Sequence, residues 1–506
     1  MRPAPLHALL ALSLLAPCAP GADYYVNPIT GNNATGTGSS TNPWRTITFA
    51  VTQVPGPADT IHVAAGVYGS ALGEVYPIDM KPGVSVIGAG FGVTVLDAAG
   101  VGVAAIRFNA LPFSTPTRLE GIRISGTGGP AVRVSTPDGS GIAVSRCSLS
   151  GNGTGLRVEA GTAATGPTFR LNLVAYNVTN VFLVGGTPGT TTLANFDRNW
   201  ITFSTTQGIA AFAGMGGSVA ATFVGDRIES CFDTGIFATA SSGSVVLTTT
   251  SLTVFHHVNK GIEASAVGGG SCFVSIDHAT IADNTGGGIS LLGSAGAIVS
   301  NSIVRGNTGA NFAGVPVSSV VNCVVGPGAY AGQNGNVDVD PMFIDTTQDN
   351  YQLQQGSPCI DAAGTGPAIR DSYGDSRPLD GNLDGVSLPD TGSDEYAHAH
   401  LATTGSTTVG GSFSFVITGT AGVFVQNSFA FSEGMIPIPY WGIAFVGLPL
   451  FPLGGIAGFP QTTIPLTVPN DPSLLGLLLH IQSVGTTFVA GNLRGSLGNV
   501  LRLEIL

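Results

Sequence analysis

The chain has 506 residues, of which only 9% are charged, and its net charge is −12. Lysine occurs only at Lys81 and Lys260, so no run of basic residues is available to neutralise phosphate groups, and the composition argues against nucleic acid as a partner. With 74 glycines, the length suits either several ordinary domains or one long repeat array with additions.

The first 22 residues have the features of a secretory signal peptide. Arg2 precedes an apolar run over residues 6–16, and small residues lead up to Asp23. The sequence therefore predicts export, with residues 1–22 removed from a protein that is secreted or held at the cell surface.

A short amphipathic stretch follows at residues 43–54. Trp44, Ile47 and Val51 fall on one face at helical spacing. The open end of a repeat array exposes unpaired strand edges and apolar core unless something covers it. We therefore predict that residues 43–54 form a short helix across the first coil of the array described next.

Residues 145–312 contain a repeated unit of about 26 residues, in which an aliphatic anchor precedes a polar turn and a second aliphatic residue. The closing aliphatic residues are Leu156, Val181, Ile209, Ile236, Ile262 and Ile289. Within each unit apolar and polar residues alternate, which predicts short strands. Because a unit of this length cannot bury its own apolar face, neighbouring units must stack into a parallel β-solenoid.

Stacking places equivalent residues of successive units above one another. Counting three residues from each anchor predicts one row of Asn152, Asn177, Ser204, Cys231, Phe255 and Asn284. Side-chain amides can bond to each other along such a row and satisfy backbone groups of the turn. We therefore interpret the asparagines as structural.

The same counting predicts one group of titratable residues. Asp233 and His257 each lie five residues after their anchors in adjacent units, and Asp283 lies near the same turn one unit later. A carboxylate and an imidazole at that spacing can act as acid and base on a sugar. Solvated turn residues are the alternative interpretation of Asp233, His257 and Asp283.

The five cysteines after residue 22 show no metal-type spacing and no disulfide framework. We expect most of them to be buried as small apolar residues. Cys323 and Cys359 are the only pair for which we consider a disulfide.

Residues 336–396, the acidic segment, hold twelve of the 30 carboxylates, opposed only by Arg370 and Arg377. Part of this segment has oxygen ligands at the spacing with which a calcium-binding loop begins. The candidate ligands are Asp380, Asn382, Asp384 and Asp390. Calcium binding and a turn-rich polar cap over the last coil are alternative interpretations, and no other cofactor is predicted.

Residues 401–506 differ from the repeats, because their alternating apolar stretches are separated by Pro and Gly. The pattern predicts a small antiparallel β domain of the sandwich type. Residues 440–459 have the length of a membrane span, but Pro449, Pro452 and the absence of flanking Lys or Arg argue against a transmembrane helix.

Two parts of the chain resemble known families. YYVNPITGNNATGTGSSTNPWRTITFAV, followed by ADTIHVAAGVYG, resembles the amino-terminal region of secreted right-handed β-helix proteins of the pectin-lyase-like class. NVDVDPMFIDTTQDNYQLQQGSPCIDAAGTG and SRPLDGNLDGVSLPDTGSDEY resemble the choice-of-anchor Q segment that closes many bacterial solenoids. The resemblance implies export, a right-handed β-helix, and contact with polysaccharide or the cell surface.

Catalysis is not implied by this resemblance. The grouped Asp residues of pectate lyases and polygalacturonases have no counterpart here, and Asp277-His278 resembles only a fragment of the Asp-Pro-His motif of alginate epimerases.

Together these observations predict an all-β protein. Residues 23–335 are expected to form a right-handed parallel β-helix of about nine to eleven coils with an amino-terminal helical cap, closed by residues 336–396 and followed by a small β domain at 401–506. We expect a monomer that binds glycan or adheres to surfaces, and the alternative function is a polysaccharide lyase or glycosidase.

Overall fold

The computed structural model describes residues 21–504 except 110, 160, 162–164, 367–369, 406–409, 420–423, 431–432, 439–441, 447–450, 458–460, 471–477 and 490–491. The chain forms a right-handed parallel β-helix of about ten turns, as predicted, in which each full coil contributes one strand to each of three parallel sheets. The predicted signal peptide lies almost entirely outside the described residues, so secretion stays a prediction.

Three sheets form the sides of the β-helix, and we number them in the order in which a coil passes through them. The first sheet has 12 strands: Asp23–Val26, Thr60–Val63, Ser85–Gly88, Thr117–Glu120, Ile142–Ser145, Thr168–Arg170, Thr191–Asp197, Ser218–Val224, Ser244–Thr250, Ser271–Asp277, Gly296–Ser300 and Val320–Val321. The second has 11: Gly66–Gly69, Thr94–Asp97, Arg123–Ser125, Ser148–Ser150, Leu173–Ala175, Trp200–Thr202, Arg227–Glu229, Thr253–Phe255, Thr280–Ala282, Ile303–Arg305 and Val324–Val325. The third has 10: Ile78–Asp79, Ile106–Asn109, Pro130–Ser135, Thr154–Glu159, Thr179–Gly185, Ile209–Ala213, Ile236–Ala240, Lys260–Ala266, Gly287–Gly293 and Phe312–Ala313.

The closing aliphatic residues of the repeat form one file on the inner side of the third sheet. The parallel pairing runs in register through Leu156, Val181, Ile209, Ile236, Ile262 and Ile289. All six are at most 1% exposed. The predicted alignment is therefore confirmed, and burial of each side chain stabilises the coil stack by about 1.5–3 kcal/mol.

Helix α1, Ile47–Gln53, packs on the first coil. Thr46 caps it, because its side-chain oxygen accepts a hydrogen bond from the N–H of Phe49. The Glu74 carboxylate accepts two more of the free N–H groups at this end, including that of Ile47 at 2.6 Å. The buried side chains of the helix, which join the solenoid core, are Ile47, Ala50 and Val51. The predicted helical cap is confirmed, although the helix begins at Ile47 and not at residue 43.

The other described elements are short 3-10 helices, one hairpin and the strands of the carboxy-terminal region. Three 3-10 helices span Ser70–Leu72, Val317–Ser319 and Thr346–Gln348, and an antiparallel hairpin pairs Phe343–Asp345 with Asn350–Leu353. The carboxy-terminal region forms antiparallel sheets with strands Ala399–Gly405, Ser412–Gly419, Phe424–Ala430, Glu433–Ile438, Gly442–Val446, Phe451–Ala457, Gln461–Thr467, Leu478–Val489 and Asn492–Glu504. Among the described residues, no helix has both the length and the apolar character needed to cross a membrane.

The disulfide considered between Cys323 and Cys359 is absent, and both thiols are free and buried. Cys323 belongs to the core inside the solenoid, whereas Cys359 packs in a separate apolar cluster with Ile303 and Leu353. The two side chains belong to different cores, which is why the pair that the sequence left open is not bridged.

Candidate functional site

Each bend beside the second sheet contains a residue with positive φ. Before the strand, the residues other than glycine at this position are Arg146, Leu171, Arg198, Ser251, His278, Asn301 and Asn322. After the strand they are Tyr176, Phe203, Ser230, His256 and Asp283. Residues other than glycine rarely adopt this conformation. Its return in coil after coil indicates that the bend geometry imposes it.

A buried row supports the second bend, directly after the positive-φ residues. The Asn152 backbone N–H and Nδ2 both donate to Asn177 Oδ1, at 2.9 and 3.1 Å. The row continues through Ser204 and Cys231, and on the next coil the His257 N–H donates to Asn284 Oδ1 at 3.0 Å. The predicted asparagine row is thus confirmed, but His257 takes the place assigned to Phe255. The residue equivalent to Ile228 and Ile281 is Val254, three residues before His257, so the count had started from the wrong aliphatic residue, Leu252.

A second row, which the sequence analysis missed, supports the first bend. The Asn172 N–H donates to Asn199 Oδ1 at 3.0 Å, and the Asn199 N–H donates to Asp226 Oδ1 at 2.8 Å. Asp226 is fully buried, and burial raises its pKa to about 8. The carboxyl group that ends the row is therefore protonated at neutral pH.

His257, one of the three candidate catalytic residues, is fully buried. Its Nδ1 accepts the N–H of Cys231 at 3.1 Å, which leaves Nε2 to donate to the carbonyl of Ile228 at 3.2 Å. Burial lowers the pKa of this imidazole to about 4. Since both ring nitrogens bond to backbone groups of the protein, His257 stabilises the bend.

The other two candidates lie at the surface with separate partners. Asp233 accepts hydrogen bonds from Gln207 Nε2 at 2.8 Å and Asn259 Nδ2 at 3.0 Å. Asp283 accepts the Tyr351 hydroxyl proton at 2.7 Å. In the backbone ladder Asp233 is aligned with Asn259 and not with His257, so the structure does not bring the three candidates into one site.

Exposed apolar side chains line the second bend on consecutive coils, and we call this strip the aromatic ridge. It consists of Tyr176, Val178, Phe203, Phe232 and Val258. Tyr176 and Phe203 stack nearly parallel, with ring centroids 5.0 Å apart and an interplanar angle of 11°. Tyr176 is 64% exposed and Phe232 74%. A run of exposed aromatic faces is typical of an interaction site.

Polar groups flank the aromatic ridge on both sides. Towards the third sheet lies the hydrogen-bonded row of Gln207, Asp233 and Asn259. Towards the second sheet, the half-exposed Trp200 donates its indole N–H to Glu229 Oε1 at 2.7 Å. Arg227 pairs with the same carboxylate and lies over the Trp200 ring, 5.8 Å from its centroid. The ridge therefore has both donors and acceptors at its margins.

A cluster of titratable groups lies at the end of the ridge, on the coil of Val258 and on the coil after it. His256 and Asp283 occupy the positive-φ position that Tyr176 and Phe203 occupy earlier. His256 Nδ1 is 2.9 Å from Asp349 Oδ1, and Nε2 is 3.4 Å from the Tyr351 hydroxyl. Each of these outward-facing residues directly precedes a member of the buried row in the sequence. That position was the signal from which the ridge and this cluster could have been predicted.

The acidic segment lies along the outer face of the second sheet. Tyr351 packs on Phe255 with ring centroids 4.5 Å apart, and Ser393 Oγ is 2.9 Å from Thr253 Oγ1. Earlier in the segment, Val337 extends the last coil by pairing with Val324. The segment also lies beside Arg198 and Gly225, whereas Trp200 and the ridge residues are exposed.

One arginine lies among the buried carboxylates of this segment. Arg377 donates to Glu395 Oε2 at 2.8 Å and to the carbonyls of Gly392 and Asp394. The buried carboxylates are Asp371, Asp375, Asp380, Asp390, Asp394 and Glu395. Burial raises the pKa of Glu395 to about 7 against the opposing effect of Arg377.

The candidate calcium ligands are occupied by backbone hydrogen bonds. Asp380, Asn382 and Asp384 accept the N–H groups of Gly385, Asp384 and Val386. Asp390 accepts from Asp361 and Tyr396. In the part of the chain that the structure describes, no group of three or more His, Cys, Asp or Glu side chains is arranged to hold a metal ion. Calcium binding at this loop stays a prediction.

Comparison with known proteins gives one family match, a protein family of unknown function (DUF1565), over residues 29–161. No curated protein matches the sequence. Among solved structures, tailspike protein 2 of an Escherichia coli O157:H7 bacteriophage is 14% identical over 88% of this chain, with a TM-score of 0.38. The chain covers 64% of that tailspike.

Two further solved structures are similar. The A-module of mannuronan C-5 epimerase AlgE6 of Azotobacter vinelandii is 15% identical, with 58% of this chain and 93% of that one covered and a TM-score of 0.35. The GH136 lacto-N-biosidase of Eubacterium ramulus is 12% identical, with 63% and 67% covered and a TM-score of 0.32.

Proposed function

We propose that this protein is a secreted or cell-surface β-helix that binds glycan through the aromatic ridge. The stacked, exposed pair of Tyr176 and Phe203 is the observation that carries the proposal. Sugar rings present apolar C–H faces that pack on aromatic rings, and their hydroxyl groups need donors and acceptors close by. Gln207, Asp233 and Asn259 supply these groups beside the ridge.

Export and surface attachment belong to the same proposal. The amino-terminal 22 residues support export. The resemblance of the acidic segment to the choice-of-anchor Q type supports a place at the cell surface. A rigid solenoid suits this role, because its binding residues sit on a scaffold with a fixed spacing of about 4.8 Å between coils.

Binding to immobilised polysaccharides tests the proposal. We expect Tyr176→Ala with Phe203→Ala to weaken retention by about tenfold, since removal of a central aromatic contact costs more than 1 kcal/mol. Phe273→Ala is the matched control, because Phe273 is an exposed phenylalanine on the first sheet. Equal losses in the two proteins, or no retention of any polysaccharide by the native chain, would contradict a glycan-binding ridge.

Glycan cleavage is a second candidate function, favoured by the cluster of His256, Asp283 and Tyr351 where the ridge ends. Acid and base groups beside a sugar-binding surface are the requirement for lyase or glycosidase chemistry. Incubation with acidic and neutral polysaccharides tests this function through new reducing ends or unsaturated uronates. Products that disappear in Asp283→Asn would establish catalysis, whereas retention without products leaves binding as the function.

A further inference from the structure

The fold gathers arginines that are far apart in the sequence. Nine of the sixteen arginines lie between residues 107 and 227. Five of them meet around the first bend and form what we call the arginine patch: Arg118, Arg123, Arg146, Arg170 and Arg198. Arg146 and Arg198 occupy the positive-φ position two coils apart, and Arg123 begins a strand of the second sheet. A chain without any basic run thus acquires a basic surface.

Four members of the patch are paired with carboxylates. Glu120 pairs with Arg118 and Arg146, and Asp197 pairs with Arg170 at 2.7 Å and Arg198 at 3.1 Å. Arg146 also has a further interaction, so these four guanidinium groups already have partners.

Arg123 is exposed and has no hydrogen-bond or ion-pair partner among the described residues. Asp97 lies on the neighbouring coil, where it accepts the N–H of Ala99. Arg123 is therefore the member of the patch whose guanidinium group is available to an external anion.

The patch and the aromatic ridge border the same face. In-register pairing leads from Arg123 through Ser148 and Leu173 to Trp200 on the outer side of the second sheet. Each strand here is only three residues long. A chain of sugars lying across this narrow face reaches the ridge at one edge and the guanidinium groups at the other.

We propose that the arginine patch binds the anionic groups of a carboxylated or sulfated polysaccharide, an inference that rests on the ridge being a glycan site. The planar guanidinium group presents two parallel N–H donors, which match the two oxygens of a carboxylate or sulfate.

Retention of the full chain on dextran, dextran sulfate and polygalacturonate tests this inference, because the three probes are uncharged, sulfated and carboxylated. We expect tighter retention on one or both charged polymers, weakened by added salt. Arg123→Glu is expected to reduce it about tenfold, as loss of a charge-assisted hydrogen bond and a new repulsion predict. Retention on dextran is expected to stay unchanged.

Arg45→Glu is the matched control, because Arg45 is an exposed arginine in the segment before helix α1. A second variant, Arg118→Gln with Arg123→Gln, guards against local distortion by the introduced Glu. Equal losses in Arg45→Glu and Arg123→Glu, no preference for charged polymers, or equal retention of single-stranded DNA would overturn the inference. If only the ridge variants lose retention, the glycan site is supported and the role of the patch is contradicted. If only the patch variants lose retention, the ridge is contradicted as the glycan site.

Discussion

Buried polar groups find their partners differently in the solenoid coils and in the acidic segment. In the coils, each buried amide bonds to its equivalent one coil away, as Asn152 does to Asn177 and Asn172 to Asn199. In the acidic segment, the single buried guanidinium of Arg377 faces several carboxylates. The first arrangement spreads the stabilisation over many equal contacts, whereas the second concentrates it in one residue. A single substitution should therefore disturb the two regions to very different extents.

Loss of Arg377 is expected to have the largest effect. Arg377→Met leaves Glu395 and its neighbours as buried carboxylates without a counter-charge, which should destabilise the acidic segment by about 3–5 kcal/mol. Urea unfolding and limited proteolysis of the segment measure this change. Arg305→Gln is the control, since the Arg305–Asp338 pair is partly exposed and should contribute at most about 1 kcal/mol. Similar losses in both proteins would contradict a central role for Arg377.

The two regions also differ in how far the sequence predicted them. The period of the closing aliphatic residues is visible in the sequence because every coil must bury one, and it predicted the file from Leu156 to Ile289. His257 was misplaced because Leu252 was counted as the anchor, whereas the residue that pairs with Ile228 in the second sheet is Val254. The acidic segment has no period, so its contact with Thr253 and Phe255 depends on long-range packing that local patterns do not encode.

The candidate site was even less accessible to sequence reasoning. Nothing in the sequence marks Tyr176 and Phe203 as exposed. Only the bend, at which both have positive φ, turns them outward as a stacked pair. The arginine patch likewise depends on which residues of neighbouring coils meet. Asp233 and His257 were grouped by spacing alone, and the structure separates them because one is at the surface and the other is in the buried row.

Asp226 sharpens the comparison, because it is a buried carboxyl within a solenoid row. Its pKa is about 8 in the folded protein against 3.8 ordinarily, since burial disfavours the charged form. Between these values the folded chain holds a proton that the unfolded chain has lost. The stability that Asp226 contributes is therefore complete below about pH 4 and falls as the pH rises towards 8, by up to about 1.4 kcal/mol per pH unit.

Asp226→Asn should remove this dependence, because an amide keeps the row and does not titrate. We expect the variant to exceed the native protein in free energy of unfolding at pH 8 and to match it near pH 4. Chemical unfolding of both proteins across this pH range measures the difference between their free energies of unfolding. The buried carboxyl groups of the acidic segment are common to both proteins, so their contribution cancels in this difference. A constant difference at every pH would show that Asp226 is not protonated in the fold.

His257→Asn is expected to have the smallest effect, and it tests whether the rows tolerate exchange of their members. Asn already occupies this position at Asn177 and Asn284, and its side-chain oxygen can accept the Cys231 N–H that His257 Nδ1 accepts now. We expect a cost of at most about 1 kcal/mol, whereas Asn177→Ala, which leaves the buried N–H of Asn152 without its acceptor, should cost about 1–3 kcal/mol. Thermal unfolding of the two variants gives the comparison. If His257→Asn costs more than Asn177→Ala, the row is specific to its residues and the stabilisation is not shared equally among the coils.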